Sequence, residues 1–162
     1  MDNGLTCRLL TSVATADTLG SMLPNAPAPS AVLEAALYVD DLDAAEDFYG
    51  TVIGLRKIQR IGDRHVFFQV GTATLLVFNP AETDKPTSSP RFPVPPHGAR
   101  GPGHFCFAQP RADMDQMRAR LIAAGVVIES EFDWPNGVHS LYFRDPAGNS
   151  IEIAEPHLWS DA

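Results

Sequence analysis

The chain has 162 residues, a formal net charge of −8 and an isoelectric point near 4.9. Its 44% apolar and 20% charged residues are typical of one globular domain, or of two small half-domains that share a core. The acidic balance argues against nucleic acid and membranes as partners, and the apolar stretches are too short to span a bilayer. Cys7 and Cys106 lie in unlike contexts, which fits a reducing cytoplasm rather than a disulfide framework.

Residues 1–31 are rich in Ala, Ser, Thr, Leu and Pro. They predict a leader that docks on the body or on a partner chain. The spacing of its apolar residues gives a weak signal for a short helix. The pattern over residues 32–80 is that of a βαβββ module. Asp40, Asp41 and Asp43 offer N-caps for its helix, and Gly54 suits the end of that helix. The predicted strands cover residues 32–39, 55–61, 65–70 and 72–79.

Residues 81–103, rich in Pro and Gly, predict a linker. The same order of elements then returns as a second βαβββ module over residues 104–156, and residues 157–162 form a tail. Asp113 is predicted to cap the helix of this module, and Gly125 to end it. The predicted strands cover residues 104–109, 126–134, 138–144 and 150–154, with Asn136-Gly137 in a hairpin.

Equivalent residues of the two modules stand at similar offsets. Glu34 precedes His104 by 70 residues, Gly54 precedes Gly125 by 71, and the closing strands match at an offset of 76. Internal duplication is the simplest account of two units that share the same order of strands and helix and similar turn residues between them. The sequence therefore predicts an α+β fold in which two paired βαβββ modules form a curved mixed sheet around one cavity.

Alternate residues of the first and last strands point away from the helix of their module, toward what we call the open face of each sheet. This pattern puts Glu34, His104 and Glu152 on open faces. A carboxylate flanked by isoleucines needs a cation or a hydrogen-bond partner. One imidazole and two carboxylates suit a divalent Fe, Mn, Ni, Co or Zn ion. From spacing alone, Glu34 has the alternative role of an exposed edge residue, and His104 that of a hydrogen-bonded core histidine.

Five sequence motifs stand out. They are Leu33–Leu42, Phe48-Tyr49 and Ile53-Gly54-Leu55 in the first module, and Gly103–Phe107 and Tyr142–Glu152 in the second. These motifs resemble those of the vicinal oxygen chelate superfamily, which includes glyoxalase I, methylmalonyl-CoA epimerase, extradiol dioxygenases, fosfomycin-resistance enzymes and bleomycin-resistance proteins. The resemblance covers residues 32–156 and implies the glyoxalase/bleomycin resistance/dioxygenase fold.

Metal-binding members of that superfamily take their ligands from the first and last strands of each module. The corresponding positions here are Glu34, Leu76, His104 and Glu152, so the resemblance implies a three-ligand metal site. Leu76 cannot ligate a metal, and its place in glyoxalases and epimerases holds Glu or Gln. This departure argues against glyoxalase I itself.

Further open-face residues are candidates for contact with a substrate. The candidate substrate-binding residues are Tyr38, Phe78, Cys106, Ser140 and Tyr142, and the candidate catalytic residues are Tyr38, Tyr142 and His65. Ser140 and Tyr142 have the alternative role of a hydroxyl pair bonded within the sheet, and Cys106 that of a small packed residue. His97, in the linker, is a candidate lid residue.

Two functions fit these residues. The first is a metalloenzyme that chelates a small, apolar or aromatic, oxygen-bearing substrate to its metal, with dioxygenase, lyase and isomerase chemistry all open. The second is a metal-free protein of the bleomycin-resistance kind that sequesters a ligand. Resemblance also implies a homodimer, with the cavity built within one chain or across two.

Overall fold

The computed structural model describes residues 24–86 and 89–160, and residues 1–31 and 32–162 form two separate units. Residues 24–31 of the first unit contain no helix or strand, and the predicted leader helix lies outside the described residues. None of the helices in the described ranges combines the length and apolar character needed to cross a bilayer.

The first βαβββ module, called module 1 from here on, follows the predicted order of elements. Its elements are β1 (Glu34–Tyr38), α1 (Leu42–Asp47), β2 (Arg56–Ile61), β3 (His65–Val70) and β4 (Ala73–Phe78), followed by a short α2 (Pro80–Thr83). Asp41 caps α1 by accepting from the Ala44 N–H at 2.9 Å. The helical stripe did not predict that residues Phe48–Ile53 continue α1 as a π-helical turn. Gly54 ends that turn in the left-handed conformation, at φ 88°.

The second βαβββ module, called module 2, has the same order with a longer helix. Its elements are β5 (His104–Ala108), α3 (Arg111–Ala123), β6 (Ile128–Asp133), β7 (His139–Arg144) and β8 (Ser150–Ala154). The prediction that Asp113 caps the helix is wrong, because α3 begins at Arg111 directly after Pro110. Asp113 instead lies in the first turn, where its negative charge faces the positive end of the helix dipole.

The two modules form four-stranded mixed sheets of equivalent topology. The strand orders are β1-β4-β3-β2 and β5-β8-β7-β6, with one parallel pair in each sheet, β1 with β4 and β5 with β8. The predicted fold class, two paired βαβββ modules, is confirmed. β1 and β5 are both edge strands of their own sheet, so each has one side without a strand partner among the described residues.

One hydrophobic core joins the two modules on the helix side of the sheets. Its largest fully buried members include Tyr49, Phe68, Phe143, Leu75, Leu121, Leu141, Ile151 and Ile153. Tyr49 of module 1 donates a buried hydrogen bond to the Asp145 carboxylate of module 2 at 2.8 Å. Asn149 also bridges the modules, because its amide accepts from the Gly103 N–H at 2.7 Å and donates to the Tyr38 carbonyl at 3.3 Å. The helix sides are thereby packed together, and the open faces are left for function.

Candidate metal and substrate site

The open face of module 2 is organised around Glu152, in the middle of β8. Strand pairing places Glu152 between Cys106 of β5 and Tyr142 of β7. The carboxylate is buried at 5% exposure, with Ile151 and Ile153 pointing the opposite way into the core. Its Oε1 atom has no hydrogen-bond partner among the described residues. A buried carboxylate oxygen without a partner is costly, and calls for a cation or a donor.

His104 supplies the second polar group of this face, at the start of β5. Its Nδ1 lies 3.1 Å from the Ser150 carbonyl oxygen. A carbonyl only accepts, so Nδ1 carries a proton and Nε2 is the ring nitrogen left to face the carboxylate. That Nε2 lies 3.4 Å from Oε2 of Glu152. A proton on Nε2 would make this contact an ion pair, but Oε1 of Glu152 would still have no partner among the described residues. A divalent cation could bind both the imidazole and the carboxylate.

The separation of these two ligand atoms fits a shared metal ion. Two ligands held about 2.1 Å from one ion at a tetrahedral angle lie about 3.4 Å apart. The observed distance between His104 Nε2 and Glu152 Oε2 is 3.4 Å. The hydrogen bond from Nδ1 to a backbone carbonyl is the kind of outer contact that orients metal-ligating histidines. These two residues therefore fit a metal, with open positions left over.

Glu34 does not join this pair within one chain. It opens β1 at the exposed edge of the other sheet. Across the described residues, no group of three or more His, Cys, Asp or Glu side chains is placed to hold a metal. The structure thus brings two of the three predicted ligands together.

The groups beside Glu152 are held in their protonated forms. Partial burial of the Cys106 thiol and the nearby Glu152 carboxylate raise its pKa to about 12. Burial, together with the nearby Glu152 carboxylate, also raises the pKa of Tyr142 above its usual value. A thiol with so high a pKa is a poor nucleophile at neutral pH, which argues against covalent chemistry. The alternative role of Cys106 as a small packed residue is wrong, because the residue is exposed on the open face and is available for contact with a ligand. Tyr142 is a neutral hydroxyl able to donate.

An aromatic wall continues from His104 across module 2. Tyr142 stacks on His104 with ring centres 6.4 Å apart, and Phe132 stacks on Tyr142 at 5.8 Å. Trp134 follows Phe132 at 5.0 Å and donates from Nε1 to the buried Ser140 hydroxyl at 2.9 Å. The Ser140 hydroxyl is therefore engaged within the sheet. The hydrogen bond from Trp134 was not foreseen, because the sequence does not show which aromatic side chain lies beside a given hydroxyl.

The open face of module 1 is mostly apolar. Leu76 is paired between Ala36 and Phe67, at the position equivalent to Glu152. Phe78 is paired between Tyr38 and His65 one row farther along. The Tyr38 hydroxyl lies 2.9 Å from Nδ1 of His97, so the linker histidine predicted as a lid residue does contact this face.

His65 is buried at 7% exposure and stacks on Phe67, with ring centres 4.1 Å apart. Its Nε2 lies 3.0 Å from the Gln59 amide nitrogen, while Nδ1 has no partner among the described residues. Burial lowers the pKa of His65, with a smaller effect from the charge of Arg64. The ring is therefore neutral at physiological pH. Gln59 was missed by the sequence argument, because a β-bulge between Lys57 and Gln59 shifts the register of β2.

Comparison with known proteins decides the family. The model of the Glyoxalase/Bleomycin resistance protein/Dioxygenase superfamily matches residues 31–153. The chain belongs to this superfamily. An uncharacterized protein of Pseudomonas aeruginosa is 32% identical over 127 residues, which cover 74% of this chain and 84% of that protein.

Solved structures of the superfamily share the architecture. A lactoylglutathione lyase from Agrobacterium tumefaciens is 47% identical, with a TM-score of 0.75 over 81% of this chain and 97% of that one. A fosfomycin resistance protein from Mesorhizobium loti is 18% identical, with a TM-score of 0.56 over 83% of this chain and 98% of that one. The second likeness shows the fold alone.

Proposed function

We propose that the protein is a metal-dependent enzyme of the superfamily that acts on a small, apolar or aromatic substrate bearing two neighbouring oxygen atoms. The observation that carries the proposal is the His104–Glu152 pair. An oriented imidazole faces a buried carboxylate whose other oxygen has no partner among the described residues. The pair fits Fe, Mn, Ni, Co or Zn in the divalent state.

A metal bound there would act as a Lewis acid that stabilises negative charge on a substrate oxygen. The chain itself contributes a flat aromatic wall, because His104, Tyr142 and Phe132 stack in succession. A planar substrate can lie against this wall with its oxygens toward Glu152. The neutral Tyr142 hydroxyl can donate a hydrogen bond to one of those oxygens, and this assigns it an orienting role.

We further propose that Glu34 of a second copy completes the ligand set, in an isologous homodimer. Glu34 stands on an exposed edge strand, and the residues just before it, Val32 and Leu33, are 74% and 75% exposed. Edge strands that present apolar side chains are suited to pairing with another chain. Because the interface of such a dimer is self-complementary, two equivalent sites form.

Mixed dimers test this assembly directly. Glu34→Ala and His104→Ala chains should each lose metal binding when pure. After the two variants are unfolded together and refolded, about half of the dimers are mixed, and each mixed dimer contains one intact site. Metal uptake should therefore recover to about a quarter of the wild-type level. Pure variants that bind metal normally, or a mixture that recovers nothing, would refute the shared site.

Among the reaction classes left open, lyase chemistry is favoured by the name of the Agrobacterium tumefaciens neighbour at 47% identity, a lactoylglutathione lyase. Against that reaction itself, which is the glyoxalase I reaction, stands Leu76, a buried leucine at a position where the resemblance implies a ligand. Conversion of the methylglyoxal–glutathione hemithioacetal to lactoylglutathione, assayed with each candidate metal, tests whether this chain catalyses the reaction that the neighbour's name describes. We expect no turnover above that of the His104→Ala variant.

A metal-free ligand-sequestering protein is the second candidate. It is favoured by the aromatic character of both open faces and by the two, rather than three, ligands gathered in one chain. In that case Glu152 would be the charge partner of a cationic ligand. A metal affinity that does not respond to His104→Ala would favour this account.

A further inference from the structure

A cluster of rings at one end of the module 1 open face has no part in the proposed metal chemistry. Tyr38, Phe78 and His65 lie side by side across β1, β4 and β3. His97 from the linker packs on the same row. Phe78 is the centre of the cluster, with its ring centre 4.6 Å from that of His97, 6.1 Å from Tyr38 and 5.7 Å from His65.

His97 is fixed in this position rather than resting on the surface. Its backbone N–H donates to the Thr83 carbonyl at 2.9 Å, and the next residue, Gly98, lies beside Pro80. The Tyr38 hydroxyl lies 2.9 Å from Nδ1 of His97. A phenol is a better proton donor than a neutral imidazole, so Tyr38 donates and the imidazole proton lies on Nε2. No hydrogen bond from this Nε2 occurs within the described part of the chain, so its N–H is available.

The cluster lies too far along the strand to take part in chemistry at the metal end. Tyr38 follows Glu34 by four residues of β1 on the same face, which corresponds to about 13 Å. Proton transfer needs heavy atoms within about 3 Å. Concave space adjoins two members of the cluster, because a pocket of about 230 Å³ is lined by Tyr38 and another of about 330 Å³ by His97, with Pro80 and Arg100 lining both. This placement suits recognition of the distal part of a ligand.

We propose that Tyr38, Phe78 and His97 form a second subsite, which binds an aromatic or heteroaromatic ring at the far end of an elongated substrate. Tyr38 and His97 supply ring contacts beside the buried Phe78, and the Nε2–H of His97 also donates to an acceptor on the bound ring. The inference rests on the proposed function, because the metal end of this face is Glu34, which we propose completes the metal site of a second copy and so anchors the other end of the substrate. The subsite makes His97, in the linker, a determinant of the substrate length that the protein binds best.

Three hydroxamates of increasing reach test the subsite by titration calorimetry on the Zn²⁺-reconstituted protein. Benzohydroxamate presents two adjacent oxygens on one ring, biphenyl-4-carbohydroxamate adds a second ring, and 4-(pyridin-4-yl)benzohydroxamate adds an acceptor at its tip. The second ring should tighten binding about tenfold, and the pyridine nitrogen about fivefold more. His97→Phe should keep the first gain and lose the second, and His97→Ala should lose both. His157→Ala, which removes an exposed imidazole from the tail, should keep both gains.

Retained benzohydroxamate affinity shows that each variant is folded and loaded. The subsite inference is overturned if the second ring adds less than twofold in the wild type, or if both gains survive His97→Ala. A different result tests the proposed function. If benzohydroxamate binds equally well to the wild type and to His104→Ala, the metal end itself is wrong.

Discussion

Modules 1 and 2 share a topology but carry different chemistry on equivalent positions. Where module 2 has His104, Cys106 and Glu152, module 1 has Glu34, Ala36 and Leu76. The sides that face the shared core remain similar, with Leu37 and Phe107 both buried below their sheets. Packing constrains the core side, whereas the open sides are free to diverge. The open face of module 2 thus gathers the proposed ligand pair, His104 and Glu152, whereas the open face of module 1 is mostly apolar.

The largest expected effect is on the free energy of unfolding, when the hydrogen bonds of Asp145 at the junction between the modules are removed. Asp145 is buried and accepts hydrogen bonds from the Tyr49 hydroxyl and the Asn149 amide, each at 2.8 Å. Asp145→Ala leaves these buried donors without a partner, at a cost of about 1–3 kcal/mol each. We expect the free energy of unfolding to fall by about 3–5 kcal/mol in urea denaturation. Asp63→Ala, at an exposed turn, is the matched control, and an equal loss there would contradict the role of the junction.

Removing the charge of Glu152 should weaken the metal binding that we propose for module 2. Glu152→Gln is expected to weaken divalent-metal affinity at least tenfold, because a carboxylate ligand becomes a neutral amide. It should also lower the pKa of Cys106 from about 12, because the Glu152 charge is one of the causes that raise it. Thiol alkylation against pH, in a Cys7→Ser background, measures this shift. An unchanged profile would show that the carboxylate does not act on the thiol.

A carboxylate on the open face of module 1 tests whether that face also lines the proposed metal site. Leu76→Glu places a ligand at the position equivalent to Glu152, so metal affinity should rise about tenfold if the two kinds of open face meet at one metal. Ile58→Glu, on exposed β2, adds the same charge elsewhere and should leave the affinity unchanged. Equal affinities in the wild type and Leu76→Glu would show that Leu76 does not line the site.

The smallest expected effect concerns the buried imidazole of module 1. Burial lowers the pKa of His65, so below its ordinary value near 6.5 the unfolded chain binds the proton more readily than the folded one. Stability should therefore fall as pH drops through that range, by at most about 1.4 kcal/mol per pH unit from this group. His65→Phe should reduce the slope of unfolding free energy between pH 7.5 and 5.5. An unaltered slope would show that His65 titrates normally.

The fold and the open-face residues could be predicted because both follow from local periodicity. Alternation along β1, β5 and β8 placed Glu34, His104 and Glu152 on open faces without knowledge of the tertiary structure. Periodicity gives neither the strand register within a sheet nor the distances between two sheets. It therefore could not show that His104 meets Glu152 in one sheet while Glu34 stands apart in the other. The contacts of Trp134 with Ser140 and of His97 with Tyr38 depend on side-chain direction and on the path of the linker.

The central claim is that the His104–Glu152 pair of module 2 holds a functional divalent metal. Elemental analysis after purification without chelator, and again after reconstitution, tests it most directly. The account predicts about one equivalent of a single divalent metal per wild-type chain, and a loss of nearly all of it in His104→Ala but not in His157→Ala. Less than about a tenth of an equivalent in the reconstituted wild type, or equal loading of His104→Ala, would contradict it.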